Sequence, residues 1–191
     1  WSKLFDVDIL DAEGPDLELP IPNGKRIQKN LVGKDIKNYD SMLVLSHFKG
    51  HPMGGFGGAL KQLSIGCASS AGKANIHGAG KPEEMWTTEQ NAFLESMADA
   101  AESVVKLFDG KIVYINVMKN MSVDCDCCAV AEDPCMADIG VLASTDPIAS
   151  TLSTRPTIRA ATTLLSASRA ATASTPWRPP PSSASVRESM S

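Results

Sequence analysis

Four of the five cysteines lie close together in the sequence, in a stretch whose residue types suit metal or thiol chemistry. The segment "VDCDCCAV" contains Cys125, Cys127 and Cys128, and Cys135 follows shortly after. An odd number of cysteines fits a disulfide framework poorly, which leaves a metal centre, a redox group or buried thiols as interpretations. The spacing matches neither the ferredoxin run nor the paired C-x2-C of a zinc ribbon. In an extended segment Cys125 and Cys127 point the same way and Cys128 points the other way, so all three can bind one ion only if the chain turns.

A second stretch, "SHFKGHPMGGFGGALK", combines basic side chains with a glycine-rich loop. Its glycines are Gly54, Gly55, Gly57 and Gly58. Their backbone N–H groups, with a following helix that carries Lys61, favour an anionic ligand, although no nucleotide-binding fingerprint is matched. The alternative is that these glycines only permit a tight turn. His47 and His51 have metal-ligand spacing only on a helix, which the neighbouring Gly50 and Pro52 disfavour, so ordinary loop histidines are the preferred interpretation.

The pattern of apolar residues predicts the elements that position both stretches. Strands are predicted for "FDVDILDAE", "SMLVLSHF", "KIVYINVM" and "DIGVLAS". The last two are nearly continuous apolar runs, which are typical of strands covered by helices on both faces. Between "FDVDILDAE" and "SMLVLSHF", prolines and glycines indicate loops and turns.

Helices are predicted for "GALKQLSIGC" and for residues 88–108. In the longer helix Thr87 and Gln90 form a capping box, and Asp109 with Gly110 ends it. Its core-facing residues recur at helical spacing: Phe93, Met97, Ala100, Ala101, Val104 and Phe108. Strands that alternate with helices indicate an α/β fold with layers and a mainly parallel or mixed sheet.

Composition divides the chain at about residue 149. Residues 1–149 have a net charge of −8, whereas residues 150–191 have a net charge of +4 and are rich in Ser, Thr, Ala and Pro. We expect an α/β fragment over 1–149, an incomplete domain, and a disordered, low-complexity basic tail over 150–191. The scattered arginines of the tail, with Trp177, are too weak a signal for nucleic-acid binding.

Nothing in the sequence predicts a membrane span or a signal peptide, so the cytoplasm is the expected compartment. Because the chain begins at Trp1 without a methionine, we expect a fragment or a processed form. The sequence does not predict the oligomeric state.

Several stretches together resemble the domain of unknown function 362 family, whose members are often described as uncharacterised iron-sulfur centre proteins. The resemblance covers roughly residues 40–149 and rests on "VLSHFKGHPMGGFGGALKQLSIGCASSAGK", "FLESMADAAESVVKLFDGKIVYINVMKNMSVDCDCC" and "DIGVLASTDPIA". It implies an iron-sulfur centre. The ferredoxin-like module of some members, with its C-x2-C-x2-C-x3-C-P run, does not occur in this chain. The implied ligands are therefore Cys125, Cys127, Cys128 and Cys135, with Cys67 as an outside candidate.

The family pattern also implies a different continuation after "STDP", beginning with Asp-Gln-Ala. A DNA sequence that encodes Ser-Thr-Arg-Pro, present here at residues 153–156, can encode Asp-Gln-Ala two bases later. A later His-Thr-Leu segment of the family relates to Thr175-Pro176-Trp177 by the same change of frame. We therefore hypothesise that residues from about 150 onward are a frameshifted translation, which an intact reading frame in the parent DNA near the codons for 148–152 would refute.

These observations predict a cytosolic iron-sulfur or metal-binding protein with a redox or electron-transfer role and a redox partner protein. One alternative is an enzyme that binds an anionic small molecule at the Gly54–Gly58 loop, with His47, Lys49 or His51 as acid-base groups. Another is a structural zinc site without catalysis, because thiolates suit zinc as well as iron.

Overall fold

A mixed three-stranded sheet organises the chain. The computed structural model describes residues 2–10, 16–125, 127 and 133–147. In this part of the chain the strands are β1 (Asp16–Pro20), β2 (Lys29–Gly33), β3 (Met42–His47), β4 (Lys49–His51), β5 (Gly55–Gly57), β6 (Ile112–Met118) and β7 (Gly140–Ser144). The central strand β6 pairs in parallel with β3 and antiparallel with β7, while β1–β2 and β4–β5 are separate antiparallel pairs.

In the described residues, the three α-helices lie between β3 and β6 in the sequence. They are α1 (Ala59–Lys61), which continues as a π-helical turn at Gln62–Gly66, α2 (Ser70–His77) and α3 (Gln90–Phe108). Parallel strands need a long crossover, and these helices supply it. The α/β class and the mixed sheet predicted from the sequence are therefore confirmed.

The long helix α3 supplies much of the core. Its predicted apolar face is buried throughout, including Phe93 and Val104, which are fully buried. The left-handed backbone of Asp109, with a φ of 48°, ends the helix as expected. Its start differs from the prediction, because Glu89 caps it by accepting the N–H groups of Asn91 and Ala92.

The predicted capping residue Thr87 has a different role, since its hydroxyl donates to the carbonyl of Glu84 at 3.3 Å. The error arose because Glu89 competes for the same helix end and its carboxylate reaches two N–H groups at once.

A buried carboxylate ties α3 to the turn that follows β1. Asp99 accepts hydrogen bonds from the backbone N–H groups of Lys25, Arg26 and Ile27, at 2.7 to 3.1 Å. These N–H groups lie between β1 and β2, so the carboxylate fixes the position of that strand pair on the helix. Asn30, on β2, adds hydrogen bonds to the carbonyl of Ala100 and the hydroxyl of Ser103.

One face of the main sheet is open in the part of the chain that the structure describes, which corrects the expectation of helices on both faces. Val44 and Tyr114 point into the helix-covered core, whereas their neighbours on the opposite face are exposed. The exposed apolar residues of that face are Leu43, Leu45, Val113 and Val141. The crossover helices cover one face only, because one crossover lies on one side of the sheet.

The first strand is also placed differently from the prediction. Residues 5–10 of "FDVDILDAE" contain no strand, and the rest of that segment lies outside the described residues. Strand β1 instead occupies a stretch that the prolines had suggested was loop, since Pro20 can stand at a strand end. The predicted tail over 150–191 lies outside the described residues as well. Within the described part, no helix combines the length and the apolar character that crossing a bilayer requires.

Candidate metal centre

The cysteine-rich stretch and the glycine-rich stretch with its histidines meet at one edge of the main sheet. Strands β3 and β6 are parallel, and His47 pairs with Val117 near their carboxyl ends. The loop after β3 carries the histidines and glycines, and the loop after β6 carries the cysteines. In open α/β sheets, ligands bind outside the carboxyl ends of the strands, so this edge is the expected place for a site.

Close contact at Gly50 holds these two loops together. The N–H group of Gly50 donates to the carbonyl of Ser122 at 3.0 Å. A Cβ atom at Gly50 would lie 1.6 Å from the carbonyl oxygen of Val123, so no other residue fits without separating the backbones. The residue after Gly50 is His51 and the cysteines begin two residues after Val123, so this contact brings them together.

Three donor atoms converge here, one each from His51, Cys125 and Cys127. They lie within 4.8 Å of one another. His51 and Cys125 are buried, each about 5% exposed, whereas Cys127 is exposed. Imidazole and thiolate donors in this arrangement form a group that could hold a metal ion.

The ring of His51 is held by its own hairpin turn. Its Nδ1 accepts the N–H groups of Gly54 at 2.9 Å and Met53 at 3.2 Å, so the proton of the neutral ring is on Nε2. That atom faces the sulfur of Cys127 at 3.8 Å. Burial lowers the pKa of His51 to about 4, helped by the positive charges of Lys61, His77 and Lys49, so the ring is neutral near pH 7.

A half-buried ammonium group lies beside the other sulfur. The Nζ atom of Lys61 is 3.8 Å from the sulfur of Cys125. Both sulfurs therefore have a hydrogen-bond donor next to them, Lys61 for Cys125 and His51 for Cys127.

The glycine-rich loop is a β-hairpin, β4–β5, followed by α1. Several of its N–H groups are already used inside the protein: that of Gly54 donates to His51, and that of Ala59, at the start of the helix, donates to Oδ1 of Asn116 at 2.9 Å. A Cβ atom at Gly58 would lie 3.0 Å from the ring of Phe48 and 3.1 Å from Asn116. Close packing thus gives Gly58 a structural use that is independent of any anion.

The other residues named from the sequence have separate positions. His47 contacts the carbonyl of Lys119 through Nε2 at 2.7 Å. Cys135 lies near Met121, with its sulfur 3.6 Å from that carbonyl oxygen. Cys67 is buried in the main core, and burial raises its pKa to about 11. Cys128 lies outside the described residues.

The proximity of His51 to the cysteines was not predicted from the sequence. The two histidines were treated as a pair, whereas the partners of His51 are more than 70 residues away. The parallel pairing of "SMLVLSHF" with "KIVYINVM" was the available signal, because it brings the two following loops to one edge. Helix α2 was also missed, with its cap Ser69 and with His77, which stacks on Phe93.

Comparisons with known proteins identify the family. Neither the curated proteins nor the solved structures gave a match. The family model described as "Domain of unknown function (DUF362)" matches residues 2–150. This range includes every described strand and helix and the two loops that carry the candidate metal ligands. The chain therefore belongs to the DUF362 family.

Proposed function

We propose that this protein binds a transition-metal ion through Cys125 and Cys127, with His51 as a third ligand, and that the bound metal serves a redox role. The observation that carries the proposal is the convergence of three donor atoms within 4.8 Å from two loops that are distant in sequence. The exposure of Cys127 supports the redox role, because a partner can approach the centre from that side.

The donor set indicates the kind of metal. Two thiolates and an imidazole suit iron, copper or zinc and exclude magnesium and calcium, which prefer oxygen ligands. Iron-sulfur clusters usually take four cysteines. The described site holds two cysteines, so its donor set fits a single ion better, and a cluster would need further thiols such as Cys128 or Cys135.

His51 must change its hydrogen bonds to become a ligand. A metal at Nε2 displaces the proton there, and a neutral ring then carries its proton on Nδ1. Nδ1 now accepts the N–H groups of Gly54 and Met53, so these two contacts must open. The hairpin turn therefore shifts when the metal binds.

The test is metal binding by the chain prepared without oxygen. We expect one iron ion per chain, with a visible thiolate absorption band that changes on reduction. Cys125→Ser and Cys127→Ser should each weaken binding more than about 100-fold, and His51→Gln about 10- to 100-fold. Cys67→Ala is the matched control. Cys67 lies in the core, so its substitution should leave metal binding unchanged.

Two results would contradict the proposal. Unchanged metal affinity in a chain that lacks both Cys125 and Cys127 would show that these cysteines do not bind the metal. A site that takes only zinc, which has no redox chemistry, would leave a structural metal centre in place of a redox one.

A second candidate function is the binding of an anionic small molecule by an enzyme. The observation that favours it is the set of positive charges around His51, from Lys61 and Lys49, at the carboxyl edge of the sheet. Lys61→Met should then abolish binding of an anion such as inorganic phosphate, with metal content unchanged. Retained phosphate binding in that variant would exclude Lys61 as its ligand.

A further inference from the structure

The same two cysteines have the arrangement of a thiol–disulfide exchange pair. We propose that Cys125 and Cys127 also interconvert between a dithiol and an intrachain disulfide, by exchange with small-molecule disulfides such as oxidised glutathione. This activity needs the two thiols of the metal site but does not need the metal.

The distance between the sulfurs permits the bond. They lie within 4.8 Å of each other, and a disulfide requires about 2.05 Å with the Cβ atoms 3.5 to 4.5 Å apart. The sulfurs must therefore approach by at most about 2.8 Å for the bond to form.

The two thiols differ in accessibility, which assigns them different steps. Cys127 is exposed and can meet a disulfide from solution, whereas Cys125 is buried and lies beside Cys127. The donors beside them, His51 Nε2 and Lys61 Nζ, lie 3.8 Å from their respective sulfurs and can hydrogen-bond to thiolates. Cys67 has none of these features, since it is buried in the core and burial raises its pKa.

The exchange takes place in two steps. The Cys127 thiolate attacks one sulfur of the small disulfide, so that a mixed disulfide forms and one small thiolate leaves and takes up a proton. The Cys125 thiolate then attacks the sulfur of Cys127, forms the intrachain bond and expels the second small thiolate. The protein dithiol loses two electrons and two protons, and the small disulfide is reduced to two thiols.

The experiment uses the full chain, freed of metal with a chelator, in buffers of reduced and oxidised glutathione. After free thiols are blocked by alkylation, peptide mapping by mass spectrometry identifies each bond. We expect a disulfide between Cys125 and Cys127 that forms and disappears reversibly with the buffer ratio. In Cys125→Ser the reaction should stop at glutathione on Cys127, and Cys67→Ala should behave as the wild type.

Two outcomes would overturn the inference. Both thiols could stay reduced in fully oxidised glutathione, or Cys127 could pair with Cys128 or Cys135 while Cys125 stays free. The metal proposal is judged separately, by metal affinity in reducing buffer. A chain that binds metal and forms no disulfide refutes only this inference, and a chain that forms the disulfide but binds no metal refutes only the proposed function.

Discussion

Replacing Gly50 with alanine tests whether the contact between the two loops builds the site. The added Cβ would lie 1.6 Å from the carbonyl oxygen of Val123, while real contacts of this kind are not shorter than 3.0 Å. The backbones must therefore separate by about 1.4 Å. The hydrogen bond from Gly50 to Ser122, now 3.0 Å, would then be too long to persist.

This separation is large compared with what a metal site tolerates. Metal–ligand distances must come within about 0.2 Å of their preferred values, and a separation of the two loops by about 1.4 Å moves His51 away from Cys125 and Cys127. We expect Gly50→Ala to weaken metal affinity about 10- to 100-fold, the range found for groups that orient ligands. The crowded contact should also lower the free energy of unfolding by about 1–3 kcal/mol.

The assay is competition for zinc with a coloured chelator, with urea unfolding of the metal-free chain in parallel. Gly57→Ala is the matched control, because it lies in the same hairpin and its Cβ would meet its nearest neighbour, Lys49, at an ordinary 3.6 Å. Zinc affinity equal to that of the wild type in Gly50→Ala would show that the contact does not build the site. An equal loss of affinity in Gly57→Ala would show the same.

Two further predictions concern stability. Asp99→Asn removes the charge of the carboxylate that accepts hydrogen bonds from three backbone N–H groups. We expect the free energy of unfolding in urea to fall by about 1.5–3 kcal/mol. An unchanged urea midpoint would show that this carboxylate does not stabilise the fold. Burial raises the pKa of Cys67 from its ordinary value of 9.0 to about 11, so between these pH values the unfolded chain loses a proton that the folded chain keeps. The free energy of unfolding should therefore fall as pH rises from 9 to 11, by at most about 3 kcal/mol from this group. The fall should be smaller in Cys67→Ala. An equal pH dependence of the free energy of unfolding in the two proteins would show that burial does not raise the pKa of Cys67.

The parts of the fold that sequence predicts well are those with strong periodicity. The apolar spacing of Phe93, Met97 and Val104 defines one face of α3, and that face is buried. Short apolar runs predict the strands β3, β6 and β7. Strand β1 was missed because tertiary pairing with β2 outweighs the prolines around it.

The sequence identified the two candidate stretches of the site but not their proximity. Clustered cysteines are visible in one sequence, and so are a histidine and glycines, but their proximity depends on the parallel register of β3 with β6. The direction of Lys61 toward Cys125 depends in turn on how α1 packs below this edge. Such long-range contacts have no periodic signature, so the joint site required the structure.

The sequence separation within the site has a consequence for folding. His51 and Cys127 are 76 residues apart, and the segment between them contains the three described α-helices and the central strand of the sheet. An ion bound to both would close this long loop in the unfolded chain. By the loop-entropy relation used for disulfides, such a closure stabilises the folded state by about 4–5 kcal/mol. The metal would then act as a removable cross-link, and its removal would lower the free energy of unfolding by about this amount.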